Sequence, residues 1–198
     1  MNRELLKKNF ENHGFQTSFF DTKEEAARYM GDTIKGRKIA FGGSVTAQEM
    51  KLEEQLSVNN EVLWHWSTPG VKTLKAAREA EVYITSANGV SETGELINID
   101  GTGNRVSETL FGPEKVYFVV GGNKIEKDMH AALMRAKNVA APKNAVRLGC
   151  KTPCAVNGGD RCYDCNSPER ICHATVILER PCKGMDAEIV FIDETLGY

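Results

Sequence analysis

Six cysteines, all between Cys150 and Cys182, are the residues of this chain whose type and spacing most clearly invite chemistry. They run Cys150-Lys-Thr-Pro-Cys154, then Cys162-Tyr-Asp-Cys165, then Cys172 and Cys182. The two-residue gap between Cys162 and Cys165 lets both sulfurs converge on one metal or cluster. Gly158-Gly159, Pro153 and Pro168 supply tight turns for a loop folded around an inorganic core. Thiolates at Cys154, Cys162, Cys165 and Cys172 would complete a [4Fe–4S] site. Cys150 could replace Cys154 or sit beside the cluster, and the reach of Cys182 depends on the fold. His173, adjacent to Cys172, is a minor candidate ligand. Arg161 and Arg170 could offset the negative charge of a thiolate-bound cluster, or be ordinary surface charge.

Other uses of these thiols stay open. Structural zinc commonly takes two C-x₂₋₄-C pairs, and Cys150/Cys154 with Cys162/Cys165 would make such a set. A thioredoxin-like redox pair would not need further thiols nearby. Free cysteine is also a common small core residue. A secreted disulfide scaffold would spread its cysteines along the chain and carry a signal peptide.

A second group of residues is suited to holding a small ligand. Phe41-Gly42-Gly43-Ser44-Val45-Thr46 reads as a strand running into a helix, where backbone N–H groups and two hydroxyls could hold a phosphate or carboxylate. It matches neither a P-loop nor the dinucleotide fingerprint. The longer stretch from Ser86 to Arg105 carries Asn88, Ser91, Glu92, Thr93, Asp100 and Arg105 among glycines. It follows a core strand, at the end where open α/β sheets place their ligands. Glu92 is the candidate catalytic carboxylate and Arg105 the candidate anion contact. A turn-rich hairpin without a ligand would have similar composition. His65, between two tryptophans, reads as a packed histidine, and His130 as a helix-face residue.

The elements that must position these groups alternate. Helical periodicity spans residues 2–13, a strand 15–20, and a helix begins after Asp21 or Thr22, with acidic Glu24-Glu25 in its first turn. Strands are expected at 37–41, 62–66, 82–85 and 116–120, with helical stretches at 45–56, 70–80 and 125–138. Residues 95–101 alternate as a hairpin strand, and strands 174–179 and 188–192 follow the thiol segment. Alternating strands and helices imply right-handed βαβ units and a mostly parallel sheet. One α/β domain over 1–198, with the cysteine-rich segment 150–182 inserted before the last strands, is the simplest organisation.

Composition narrows the function. The formal net charge of −2 shows no basic face of the kind nucleic-acid-binding domains display. The longest apolar runs, near KVYFVV and AEIVFI, fall far short of the ~18 residues of a membrane span. The N-terminal MNRELLKKNFENHG lacks the apolar centre of a signal peptide, so a cytoplasmic location is expected.

Taken together, the FGGSVT turn, SANGVSETGELINIDGTGNR, KVYFVVGGNKI and the thiol loop resemble the lactate-utilisation (LUD) domain family over nearly the whole chain. The resemblance is to short, single-domain members with a motif like TPC…CxDCxSPxRIC, which here falls on Cys154, Cys162, Asp164-Cys165, Ser167-Pro168 and Arg170-Ile171-Cys172. It implies that Cys150 and Cys182 are accessory. It implies a fold like that of ribose-phosphate isomerases, glucosamine-phosphate deaminases and CoA transferases, in which turns like these line the substrate cleft. It also implies association with lactate oxidation to pyruvate beside iron–sulfur partners. The longer lactate-pathway members carry C-x₂-C-x₂-C-x₃-C motifs, and this chain has none. The resulting expectation is a [4Fe–4S] protein passing single electrons between a redox partner and an oxidoreductase of organic-acid metabolism, with a small anionic metabolite bound at the adjacent site. The rivals are an enzyme of sugar-phosphate or CoA substrates with a structural metal, and an oxygen- or iron-sensing cluster protein. A homodimer is compatible with such a fold, though no stripe in the sequence requires one.

Overall fold

A computed structural model describes residues 1–198. α1 (Arg3–Asn12) buries Leu6 and Phe10, is capped by the Asn2 side chain, and stops before Gly14 at φ 88°. β1 (Gln16–Phe20) leads into α2 (Lys23–Thr33), where Thr22 and Glu25 close a reciprocal capping box. β2 (Lys38–Phe41) is followed by two short helices, α3 (Val45–Glu49) and α4 (Leu52–Leu56), rather than the single helical stretch expected there. The break falls at Lys51, whose backbone is left-handed (φ 53°).

β3 (Glu61–Trp64), α5 (Val71–Ala76) and β4 (Val82–Thr85) continue the alternation. A short hairpin, β5 (Gly89–Ser91) and β6 (Leu96–Asp100), then leads to the single turn α6 (Asn104–Ser107) and to β7 (Lys115–Gly121). The helix expected over 125–138 begins later. β8 (Ile125–Glu126) comes first, Asp128 caps α7 (Met129–Arg135), and a π-turn over Ala136–Ala140 joins it to α8 (Ala141–Arg147). π-turns of this kind are frequent at functional sites. After α9 (Pro153–Val156), residues 157–173 form no helix or strand. β9 (Ala174–Leu178) and β10 (Asp186–Ile192) complete the chain's strands.

The main sheet has six strands, all parallel, in the order β1-β10-β7-β4-β2-β3. Its central strands β7 and β10 are buried on both faces, which is why they read as continuous apolar runs. Alternate residues serve opposite faces. Val119, Val190 and Ile192 pack with Met30, Ile39 and Leu56 on one side, while Phe118, Val120, Ile189 and Phe191 pack with Leu6 and Phe10 on the other. The last two strands separate: β10 joins the main sheet, whereas β9 pairs antiparallel with β6 in a second sheet of order β8-β5-β6-β9.

The chain leaves β2 toward β3 and leaves β4 toward β7, so strand order reverses between β2 and β4. In open α/β sheets that reversal opens a crevice at the carboxyl ends of the strands. No helix is long and apolar enough to cross a membrane.

Candidate functional site

The crevice is there: a cavity of about 250 Å³ lies beyond the ends of β2, β4 and β7. Gly43 and Ser44 come from the turn after β2, Trp66 from beyond β3, Ser86 and Asn88 from beyond β4, and Lys124 from beyond β7. Asp100, Gly101 and Arg105 close one wall, and Ala140, Ala141, Asn144 and Arg147 another. Arg147 stacks over Trp66, its guanidinium carbon 4.7 Å from the ring centroid. His65 also faces this space; burial moves its pKa down, opposed by a bond to the Phe41 backbone and by Asp100.

Most of the polar residues expected here are held by the protein itself. The Ser44 hydroxyl accepts from Ala47 N (3.1 Å) and caps α3. Gly42 is obligatory, because a Cβ there would stand 2.8 Å from Thr85 Oγ1 and 2.9 Å from Tyr83 OH. Asp100 accepts from the backbone N–H groups of Thr102 (3.0 Å), Gly103 (2.9 Å) and Val106 (3.2 Å), fixing the loop into α6. Arg105, the expected anion contact, lines the cavity but is committed. It donates to Asn98 Oδ1 (2.5 Å), Asn88 Oδ1 (3.0 Å) and Ile99 O (2.6 Å), with Asp100 3.7 Å away. Arg135 holds the backbone of Asn88 (2.6 Å) and Asn123 (2.9 Å) from behind.

Glu92 and Thr93 are placed elsewhere, at the tip of the β5–β6 hairpin against α1, and neither lines the cavity. The hairpin turns sharply because the Ser91 hydroxyl accepts from Thr93 N (3.0 Å) and Gly94 N (3.1 Å). Its tip is then tied to α1 by Asn9 donating to Glu92 O (2.6 Å), and a 3.0 Å contact joins His13 Nδ1 to Gly94 O. The Glu92 carboxylate is therefore remote from any ligand in the crevice.

Lys124, not among the expected site residues, lines the cavity as well. It is 3% exposed, and its Nζ donates to Thr46 Oγ1 (2.8 Å) and Ser86 Oγ (2.9 Å). Burial first, then the charges of Arg135 and Arg105, lower its pKa to about 7 against a raising effect of Glu49. Its only advance signal was a lysine directly beyond the most apolar strand, where α/β sheets bind ligands.

A second, smaller cavity of about 30 Å³ lies on the other side of Ala141 and Ile171, which line both spaces. Cys154, Cys162, Cys165 and Cys172 all border it, with Thr152, Tyr163 and Arg170. The thiols sense one another: burial and then Cys162 raise the Cys172 pKa, Arg170 lowers it, and Cys154 and Cys165 raise it further. Arg170 is more than surface charge, because it donates to Cys165 O (2.5 Å) and Cys172 O (2.9 Å) and so clamps two cysteine backbones together. Asn138, in the π-turn, accepts from Cys162 N (3.2 Å), and Asp164 N donates to Cys162 Sγ (3.3 Å). Cys150 does not border this cavity, and Cys182 packs instead against the core beneath α1.

The two spaces are joined by a close backbone approach. A Cβ on Gly101 would stand 2.9 Å from Ile171 O, and His173 N donates to Asp100 O (3.0 Å). The cysteine loop is thus docked onto the wall of the larger cavity.

Fold and cavities together define the class: a parallel-sheet α/β domain with a polar crevice at its switch point and a thiol-lined annex behind it. The LUD domain model matches residues 3–192, and the chain belongs to the LUD domain family. A solved DUF162 family protein from Deinococcus radiodurans is similar to it in fold, at TM-score 0.54 and 13% identity, over 96% of this chain and 94% of that one. Ribose 5-phosphate isomerase A from Neisseria gonorrhoeae overlaps at TM-score 0.36 and 14% identity, over 64% of this chain and 63% of that one. No curated protein matches the sequence.

Proposed function

We propose that this chain is an iron–sulfur LUD protein that passes single electrons between a redox partner and an oxidoreductase of organic-acid metabolism, with a small-anion site in the adjacent crevice. The observation that carries the reading is the shared wall: four cysteines border one cavity, and only the thickness of Ala141 and Ile171 separates it from the polar crevice. Cys154, Cys162, Cys165 and Cys172 would hold the group, with Cys150 and Cys182 outside the set. Bound there, a [4Fe–4S] cluster supplies one-electron chemistry.

The cysteines that border the cavity support the expected cluster set: Cys172 is among them, and Cys150, which the zinc pairing would use, is not. A single zinc ion with ~2.3 Å Zn–S bonds draws four thiolates to within about 4 Å of one another. No three His, Cys, Asp or Glu side chains of this chain converge as a single-ion ligand set. Four thiols nevertheless border a common space of about 30 Å³, which would widen to take a [4Fe–4S] core. The protein's own contribution is positional. Arg170 and Asn138 fix the cysteine backbones, Thr152 Oγ1 lies 3.2 Å from Cys154 Sγ, and Ile171 keeps the thiol side separate from the crevice.

The test is the iron, sulfide and zinc content and the visible spectrum of anaerobically purified protein, before and after dithionite. Iron and sulfide in equal amounts, near four per chain, with absorbance near ~400 nm that bleaches reversibly, is the expected result. One zinc per chain and no chromophore would make the loop a structural clip and end the redox reading.

A further inference from the structure

Lys124 is a buried cation with no carboxylate partner. Its two hydrogen-bond partners are both hydroxyls whose own hydrogens are engaged: Thr46 Oγ1 donates to Leu196 O (3.2 Å), and Ser86 Oγ makes its short bond to Val119 O (2.6 Å). Both hydroxyls must therefore accept from Lys124. An ammonium has three N–H donors, so one is left with no protein acceptor, on a side chain that is 97% buried and lines the 250 Å³ cavity.

The charged groups around it leave that vacancy unfilled. Arg135 and Arg105 are cations held to backbone and amide oxygens. The Asp100 carboxylate is committed to three backbone N–H groups and Arg105, and Glu49 to Gly197 N (2.8 Å). His65, Arg147 and Tyr198 complete the titratable groups on the cavity wall. Arg147 adds a further positive charge there, stacked on Trp66.

We propose that the crevice binds a small oxyanion whose oxygen takes the third Lys124 N–H, and that binding is coupled to uptake of a proton at Lys124. The inference rests on reading the crevice as a ligand site and does not depend on what the thiols hold. The physical reason is linkage. An unpaired buried ammonium is costly and sheds its proton readily, whereas an anion against it restores the charged form. With the free amine titrating at about 7, part of the population must be protonated as the anion enters. Below that pH the amine already carries its proton and affinity is flat. Above it, affinity falls by up to tenfold per pH unit.

The experiment is calorimetric titration of the intact protein with sulfate and, separately, with acetate, each fully ionised across the neutral range. It is repeated in buffers of different ionisation enthalpy from mildly acidic to mildly alkaline pH. The expected result is saturable binding of at least one anion, with a heat that varies with the buffer as a net proton uptake of about one half near pH 7. Tighter sulfate marks a tetrahedral oxyanion site and tighter acetate a carboxylate site, and both support the proposal. Lys124→Met should lose both the binding and the proton uptake. Binding that is pH-flat with no proton uptake, undiminished binding in Lys124→Met, or no binding of either anion at acidic pH would overturn it. Should Lys124→Met fail to fold, the uptake measured on the unaltered protein decides alone. Iron assayed on the same sample separates the two readings: proton uptake in protein without iron removes the redox role and leaves the anion site standing.

Discussion

The two cavities share a wall but are built by opposite means. The crevice is the by-product of a sheet: its polar groups project from the ends of β2, β4 and β7, whose buried cores would hold their place without any ligand. Its hydrogen bonds are closed almost completely within the protein. The thiol annex has no such support. Residues 153–173 include none that is buried, and 157–173 contain no regular structure. A structureless stretch of that length in a compact domain is usually functional or disordered. Here Arg170, Asn138 and the docking of Ile171 and His173 onto Gly101 and Asp100 supply most of its organisation. The crevice is therefore shaped before a ligand arrives, whereas the proposed cluster would add most of the annex's order.

That contrast is broken most directly at the thiols. Cys162→Ser or Cys172→Ser should abolish iron binding and expose residues 157–173 to limited proteolysis, while the main sheet still melts cooperatively. Cys150→Ser and Cys182→Ser should retain iron at close to the unaltered level. Loss of iron in all four variants alike would show that the cavity does not define the ligand set. In the crevice the corresponding insult is Arg105→Met. It strips Asp100, Asn98 and Asn88 of a buried charged partner, at a cost of about 3 kcal/mol, and should lower the melting temperature without lowering iron per folded chain. If Arg105→Met also loses iron, the two regions are one cooperative unit and the contrast fails.

Lys124 gives a smaller and pH-dependent effect. Its folded pKa, about 7, lies below the ordinary lysine value, so between the two the unfolded chain binds more protons than the folded one. Stability should accordingly rise with pH from about 7 upward, and be lowest below 7, where the buried ammonium is fully charged. Lys124→Met should remove that rise and raise the melting temperature at neutral pH relative to the unaltered protein. Melting curves at neutral and alkaline pH check it; a rise that persists in the variant would assign the titration to another group.

How far the sequence foretold this molecule follows the same division. The parallel sheet was legible because doubly buried strands such as β7 and β10 read as unbroken apolar runs, and Thr22-x-x-Glu25 announces its capping box. The gathering of Cys154, Cys162, Cys165 and Cys172 around one cavity was legible because all four fall within one local segment. The crevice residues were legible only as a neighbourhood. Glu92 follows the same core strand as Asn88, but whether a hairpin tip turns toward the crevice or toward α1 is decided by the Asn9 and His13 contacts, which are distant in sequence. Lys124 was overlooked for the related reason that a lysine after a glycine pair looks like a surface turn until β7 buries it. The π-turn and α8, which line both cavities, were missed because Pro142 reads as a helix stop, whereas it sits in the first turn of α8 after a π-turn.

The smallest expected effect tests whether the annex carries backbone strain of its own. Asp164 is one of two non-glycine residues with positive φ, at 43°, within the Cys162–Cys165 turn. Its carboxylate lies 3.5 Å from Arg170 but is 90% exposed, so that ion pair adds little. The residue's essential contribution is then its backbone: the N–H bonded to Cys162 Sγ and the left-handed turn that brings the second thiol around. Asp164→Gly keeps both and relieves about 1 kcal/mol of conformational cost, offset in part by a looser unfolded chain. Iron content and melting temperature should hardly change. Asp164→Val, which adopts positive φ poorly, should reduce iron retention under a competing chelator while leaving the main sheet's melting untouched. If glycine is as damaging as valine, the carboxylate and its Arg170 contact, not the turn, organise the thiols.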